Sequence, residues 1–220
     1  MLRNVLRSLV LGIFAGGLIA IGGSVNLQLS SMGHPILGGV FFSFGLMCVC
    51  LLGAKLFTGK VGYILENKRD YALDVVIMAI GNVIGALAVG YLAGLIFKDW
   101  TVATVDKFAY GEGSTFYNCF LRAIAAGVFV YLAVECFRLI PSYPAKLIMV
   151  CLSISTMVLL GCNHSIANVF YFAYAQITVP GFDGLSATVA VLVAILGNIT
   201  GSLLIYLLQR GLAGLIKKKA

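Results

Sequence analysis

Charge is what this sequence has least of. Only 10% of its 220 residues are Asp, Glu, Lys or Arg, against 61% hydrophobic, and the mean hydropathy is +1.04. A soluble globular domain carries roughly a quarter of its residues charged, so that class is excluded. Also missing are the short alternating segments of an outer-membrane barrel. The apolar runs are long and continuous, and in lipid such runs are helices whose backbone groups pair internally. The six cysteines (Cys48, Cys50, Cys119, Cys136, Cys151, Cys162) have no CxxC spacing and lie almost entirely inside apolar runs. They read as small packing residues, and no disulfide, metal or cofactor is expected. The glycine-rich first run (Gly12, Gly16, Gly17, Gly22, Gly23) is followed by no Lys-Ser/Thr pair, so it reads as a close-packing face and not as a phosphate loop. It is too long for a signal-peptide core and lacks a convincing cleavage site, so it is expected to be a retained helix. The net charge of +7 comes without a separate basic domain, which argues against nucleic acid as a partner.

What is present is an all-α membrane protein, read as a single transmembrane domain over 1–220. Six spans are predicted, at about 5–27, 35–53, 72–97, 116–139, 145–175 and 185–208. The second is followed by an interruption at 54–60 and a short continuation to Glu66, and the fifth breaks at 161–165. Arg3 and Arg7, then Lys60, Lys68 and Arg69, then Arg138 and Lys146, then Arg210 and the lysines at 217–219 mark one side of the membrane. The opposite connections carry only Lys98 and Lys107. By the positive-inside rule both termini are cytoplasmic, in a multi-pass protein of the cell (inner) membrane.

The two halves echo each other. Leu11-Gly12-Ile13-Phe14-Ala15-Gly16 matches Arg122-Ala123-Ile124-Ala125-Ala126-Gly127, the break at Gly53 matches the break at Gly161, and Gly81-Asn82-Val83-Ile84-Gly85 matches Gly197-Asn198-Ile199-Thr200-Gly201. Three spans per half is an odd number, so repeats over about 1–97 and 116–220 enter the bilayer from opposite sides as a 3+3 inverted repeat. Two broken helices at matching places are the sequence signature of a transport site near the midplane. The second break, Gly161-Cys162-Asn163-His164-Ser165-Ile166-Ala167-Asn168, holds an imidazole among amides and a hydroxyl. Such a cluster cannot face lipid, which makes His164 the leading functional candidate. Asn82 and Asn198, at equivalent places, read as structural amides tying the broken segments to neighbouring helices. Glu135 reads as a solvated or Arg138-paired carboxylate, and His34, beside Pro35, as an interfacial residue.

Gly53-Ala54-Lys55-Leu56-Phe57-Thr58, Asn163-His164-Ser165-Ile166-Ala167-Asn168 and the paired Gly-Asn-x-x-Gly motifs closely resemble the formate/nitrite transporter family, which includes hydrosulfide channels. The resemblance implies an aquaporin-like protomer in a homopentamer, with one anion pore per protomer. It implies that the segment after the second span folds into the pore, that Thr58 is the hydroxyl meeting the central histidine, and that His164 is that histidine. Asn163 and Lys55 join the substrate pathway. Leu46, Leu56, Phe57 and Val130 form a cytoplasmic constriction, and Phe42 with Met157 an outer one. Asn168 is counted with Asn82 and Asn198 as structural. Three residues depart from the family pattern: Asn163 and Lys55 stand where acidic residues are usual, and Gly127 replaces an asparagine. The first two tilt the expected anion from formate towards hydrosulfide.

A bare anion in hydrocarbon costs tens of kcal/mol by Born estimates, so a pore lined by Phe and Leu must lower the charge first. Half-helix N-termini supply partial positive charge at mid-depth, and a histidine supplies a proton or a strong hydrogen bond. The expected partners are therefore a small monovalent weak-acid anion (formate, nitrite or hydrosulfide), a proton and membrane lipid. An enzyme using Cys162, His164 or Ser165 would lack a partner acid in the core, so no enzymatic activity is expected. A neutral-solute pore of the water or glycerol type is the alternative, but its Asn-Pro-Ala pairs are absent.

Overall fold

The computed structural model describes residues 2–108 and 115–217, and no strand occurs among them. Eight α-helices follow one another: α1 (Leu2–Ser31), α2 (Pro35–Leu51), α3 (Arg69–Ile96), the short α4 (Thr101–Val105), α5 (Thr115–Leu139), α6 (Tyr143–Leu159), α7 (Ser165–Thr178) and α8 (Gly184–Lys217). Two 3-10 segments, Phe57–Gly59 and Val61–Glu66, lie between α2 and α3. α1, α3, α5 and α8 are each long and apolar enough to cross a membrane, while α2 and α6 are shorter apolar helices of 17 residues. Ile80, Leu92, Leu196 and Leu207 are more than half exposed on the outward faces of α3 and α8. Such surfaces are stable only against lipid or other protein, and with the long apolar helices they make this a multi-pass membrane protein.

Helix ends differ from the sequence expectation mainly by running on past the apolar windows. α1 continues to Ser31 and α8 to Lys217. At 34 residues α8 is roughly 50 Å long, well beyond a hydrocarbon core of about 30 Å. Hydropathy marks where lipid ends, whereas the helix ends only where capping or chain direction demands it. Of the C-terminal lysines, Lys218 and Lys219 lie outside the described residues.

Helix pairs meet at glycines. A methyl on Gly16 would lie 2.0 Å from the Asn82 carbonyl oxygen, and one on Gly85 2.0 Å from that of Ile13, so α1 and α3 touch backbone to backbone. The same holds between α5 and α8, where Gly127 would meet the Asn198 oxygen at 2.2 Å and Gly201 that of Ile124 at 2.0 Å. Without a hydrophobic driving force between helices in lipid, such close approach supplies the packing contact. α7 sits at the centre, with Ile166, Phe170, Ala173, Tyr174 and Ala175 fully buried. At one end, Trp100 stacks between Phe97 (4.6 Å) and Tyr174 (5.4 Å), and its indole donates to Gln28 at 2.9 Å. At the other, Glu135 is buried and takes two bonds from Arg138 (2.7 and 2.9 Å), one from Tyr63 (2.6 Å) and one from Gln209 (2.9 Å). The carboxylate is thus paired with Arg138, as the sequence reading anticipated, but out of solvent.

α2 and α6 end in the same way. Gly53 (φ 66°) and Gly161 (φ 65°) adopt the left-handed conformation, which costs a residue with a Cβ about 1 kcal/mol or more. The following amides turn back, Ala54 N–H to Val49 O (3.0 Å) and Cys162 N–H to Met157 O (3.1 Å), closing each helix with a Schellman cap. The chain then leaves the helix direction and crosses the interior in an extended turn.

Candidate functional site

Each turn is held by an asparagine from the long helix behind it. The Asn82 side chain donates to Gly12 O and Lys55 O, both at 2.8 Å, and accepts from Phe57 N–H at 2.9 Å. The Asn198 side chain donates to Ala123 O (2.8 Å) and Asn163 O (2.9 Å), and accepts from Ser165 N–H (2.9 Å) and the Ser165 hydroxyl (2.7 Å). Both amides are fully buried. Each also fits a backbone bond to the neighbouring helix: Lys55 N–H donates to Leu11 O at 3.2 Å and Asn163 N–H to Arg122 O at 3.2 Å. Buried polar backbone outside a helix must find partners, and these asparagines supply them.

The turns bring Thr58 and His164 together, with Thr58 Oγ1 3.0 Å from His164 Nε2 and both side chains buried. His164 is the residue before α7, in extended conformation (φ −87°, ψ 113°), and its Nδ1 accepts from Ala167 N–H at 3.3 Å. An accepting Nδ1 assigns the proton of the neutral ring to Nε2, which therefore donates to the Thr58 hydroxyl. The Thr58 hydroxyl then keeps its own proton to offer elsewhere. Its backbone carbonyl accepts from Ser202 at 3.1 Å, which fixes the segment against α8.

Beside the imidazole lies a cavity of about 160 Å³, lined by Phe42, Met157, Gly161, Cys162, Asn163, His164, Asn168 and Tyr171, with Asp106, Lys107 and Arg122 among its walls. Asn163 and the outer-constriction candidates Phe42 and Met157 are thus beside His164. Leu46, Leu56, Phe57 and Val130 are buried in the same hydrophobic cluster but do not line this cavity. Phe57 borders a separate apolar cleft with Val83, Ile166 and Ile199. Lys55 is elsewhere too. Its ammonium pairs with Asp74 and donates to the Ser8 hydroxyl (2.7 and 2.6 Å), in an open cleft of about 710 Å³ lined also by Asn4, Arg7 and Asp70. Ser8 bonds Asp74 in turn.

Sequence reasoning missed Arg122, Lys107 and the exposure of Asn168 to the cavity. Arg122 had a signal, being an arginine inside an apolar run, where an ionisable residue marks a functional site by default. Lys107 had none beyond its place in a loop. Burial depresses its ammonium below the usual lysine range, Asp106 offsets part of this, and the side chain lies 5.7 Å from the Tyr171 ring centre.

Long apolar helices around a buried polar site mark a membrane protein with an internal site rather than a simple anchor. The model of the family described as "Formate/nitrite transporter" matches residues 1–210, and the chain belongs to that family. Membership makes it a channel or transporter for small anions. Among curated relatives it is similar to the uncharacterized transporter YrhG of Bacillus subtilis (29% identical, covering 88% of this chain and 79% of that protein). It is also similar to the formate channel FocB of Escherichia coli (24% identical, 79% and 68% covered). Among solved structures, one described as a pentameric formate channel with formate bound shares the fold, with a TM-score of 0.82 at 22% identity over 97% of this chain and 98% of that one.

Proposed function

We propose that this chain conducts a small monovalent weak-acid anion through a pore in each protomer, past the Thr58–His164 pair. On this reading α2 with the two 3-10 segments, and α6 with α7, are two broken spans, and with α1, α3, α5 and α8 they form six spans in a 3+3 inverted repeat of aquaporin-like shape. The whole chain is one transmembrane domain in the cell (inner) membrane, with both termini in the cytoplasm. The pentameric assembly of the structurally similar formate channel supports a homopentamer here.

The observation that carries the reading is the buried 3.0 Å contact between Thr58 Oγ1 and His164 Nε2 beside a polar cavity. Two side chains 106 residues apart are brought to one point by two asparagine-held turns, and while His164 Nδ1 also caps α7, neither the Thr58 hydroxyl nor His164 Nε2 is used to satisfy those turns. The anion enters the cavity, where half-helix N-termini and cationic side chains offset the loss of hydration. It meets the Thr58 hydroxyl, which His164 Nε2–H polarises, takes from it a strong hydrogen bond or a proton that a second proton entering with the anion replaces on His164 Nε2, and passes Leu46, Leu56, Phe57 and Val130 with its charge reduced. Phe42 and Met157 narrow the other mouth. Lys55, neutralised by Asp74, adds little net field and anchors the turn that carries Leu56 and Phe57.

His164→Phe in proteoliposomes is expected to abolish formate, nitrite and hydrosulfide uptake while the protein still purifies as the wild-type oligomer. Uptake at the wild-type rate by that variant, or a wild type that passes glycerol as readily as formate, defeats the proposal.

A further inference from the structure

Arg122 stands seven residues after Thr115, roughly 10 Å along α5, which puts its charge well inside the span. Its backbone carbonyl takes the Asn163 amide, and its guanidinium lies over the α6–α7 turn, 3.6 Å from where a methyl on Gly161 would sit. Among the described residues no Asp or Glu forms an ion pair with it. Asp106, the one acid on the cavity wall among the described residues, acts on Lys107.

The turn held by Asn82 shows what is missing. There the cation, Lys55, is matched by Asp74, eight residues before Asn82 on α3. Eight residues before Asn198 on α8 stands Ala190. Ser8, which bridges the Lys55–Asp74 pair, corresponds to Cys119, whose thiol donates to Ala190 O at 3.4 Å. The scaffold is repeated and the carboxylate is not.

A second observation points into the same cavity. Asn168 is 3% exposed, lines the cavity, and its side-chain Nδ2 has no hydrogen-bond partner among the described residues. A buried amide donor without an acceptor costs about 1–3 kcal/mol, and this one, beside the Arg122 guanidinium, is open to an acceptor held in the cavity.

We propose that this cavity is an anion-docking station in which the Arg122 guanidinium and the Asn168 amide hold a carboxylate or nitrite before it reaches His164. The inference rests on the channel reading above and adds to it a site and a discrimination. Arginine presents two parallel N–H groups at the spacing of two oxygens on one atom, so formate and nitrite engage it bidentately. Hydrosulfide and halides offer a single atom and gain only the charge. Capture by the guanidinium fork is a step separate from any proton step at His164. About 160 Å³ holds a three-heavy-atom anion and a few waters, at about 30 Å³ per water. The preference is the reverse of the tilt towards hydrosulfide that Asn163 and Lys55 suggested from sequence.

The test is stopped-flow uptake into proteoliposomes over a concentration series of formate, nitrite and hydrosulfide, using variants that elute with the wild-type profile in detergent. Arg122→Lys keeps the charge and loses the fork. It is expected to raise the half-saturating formate and nitrite concentrations about tenfold, leave the maximal rates within about twofold, and shift hydrosulfide less than twofold. Asn168→Ala is expected to move formate in the same direction by about threefold. Equal shifts for formate and hydrosulfide in Arg122→Lys, or none, overturn the docking station while a conducting wild type leaves the channel reading standing. A wild type that conducts none of the three brings down the channel reading itself. Glu112 lies outside the described residues, and a Glu112→Gln variant that alone lowers the half-saturating formate concentration several-fold would identify it as the counter-ion of Arg122 and also overturn the proposal.

Discussion

The turn after α2 and the turn after α6 share a glycine at positive φ, a Schellman cap, an asparagine from the long helix behind, and one backbone bond to the helix before. Their side chains then diverge. The first presents Lys55 to Asp74 and sends Thr58 inward; the second presents His164 to Thr58 and leaves the Arg122 guanidinium over a cavity. A scaffold that satisfies its own backbone frees the side chains it carries for other work. Polar groups that hold the turns are therefore conserved in geometry between the halves, whereas polar groups that face the interior differ.

The largest way to break the comparison is at the asparagines. Asn198→Leu leaves two carbonyls and the Ser165 amide and hydroxyl without their partner, and Asn82→Leu leaves two carbonyls and one amide. At about 1–3 kcal/mol for each buried orphan, both variants should lose several kcal/mol and most of their folded yield in detergent, with Asn198→Leu the worse. A smaller loss at Asn198 than at Asn82 would mean the extra Ser165 bond contributes nothing.

Glycine contacts come next. Gly16→Ala and Gly127→Ala each drive a methyl into backbone at 2.0 and 2.2 Å, so the α1–α3 and α5–α8 pairs must separate. Overpacking of this kind costs about 1–3 kcal/mol, and thermal unfolding in detergent should fall by similar amounts for the two. Unequal falls would show that one helix pair can yield where the other cannot.

The smallest effect, and the sharpest for the difference between the turns, is at Lys55. Lys55→Met should cost less than about 1 kcal/mol, because the pair with Asp74 is about a quarter exposed on each side, and Lys55→Met with Asp74→Asn should recover most of it. Anion half-saturation should change less than twofold in either, in contrast to Arg122→Lys. A loss of anion capture at Lys55 equal to that at Arg122 would erase the distinction drawn between a cation paired with Asp74 and one with no ion pair among the described residues.

The membrane character, the helical class and the family were legible in sequence because each rests on local quantities: run length, charge scarcity, and motifs such as Asn163-His164-Ser165-Ile166-Ala167-Asn168. The glycine turns at 53 and 161 were legible for the same reason, since a helix stop is written in a few adjacent residues. Lys55 was harder. Its sequence neighbourhood places it beside Thr58, while Asp74, nineteen residues on, takes its charge away from that neighbourhood.

The amino-acid order alone settled that this chain fills a bilayer with helices and interrupts them at two matching glycines, because burial of apolar runs and the left-handed turn are decided residue by residue. Which cation keeps a counter-ion, which amide is left facing a cavity, and that Thr58 and His164 touch were decided only in three dimensions. Those facts depend on what lies across the interior from each side chain, and electrostatic and hydrogen-bond partners there come from helices far apart in the chain.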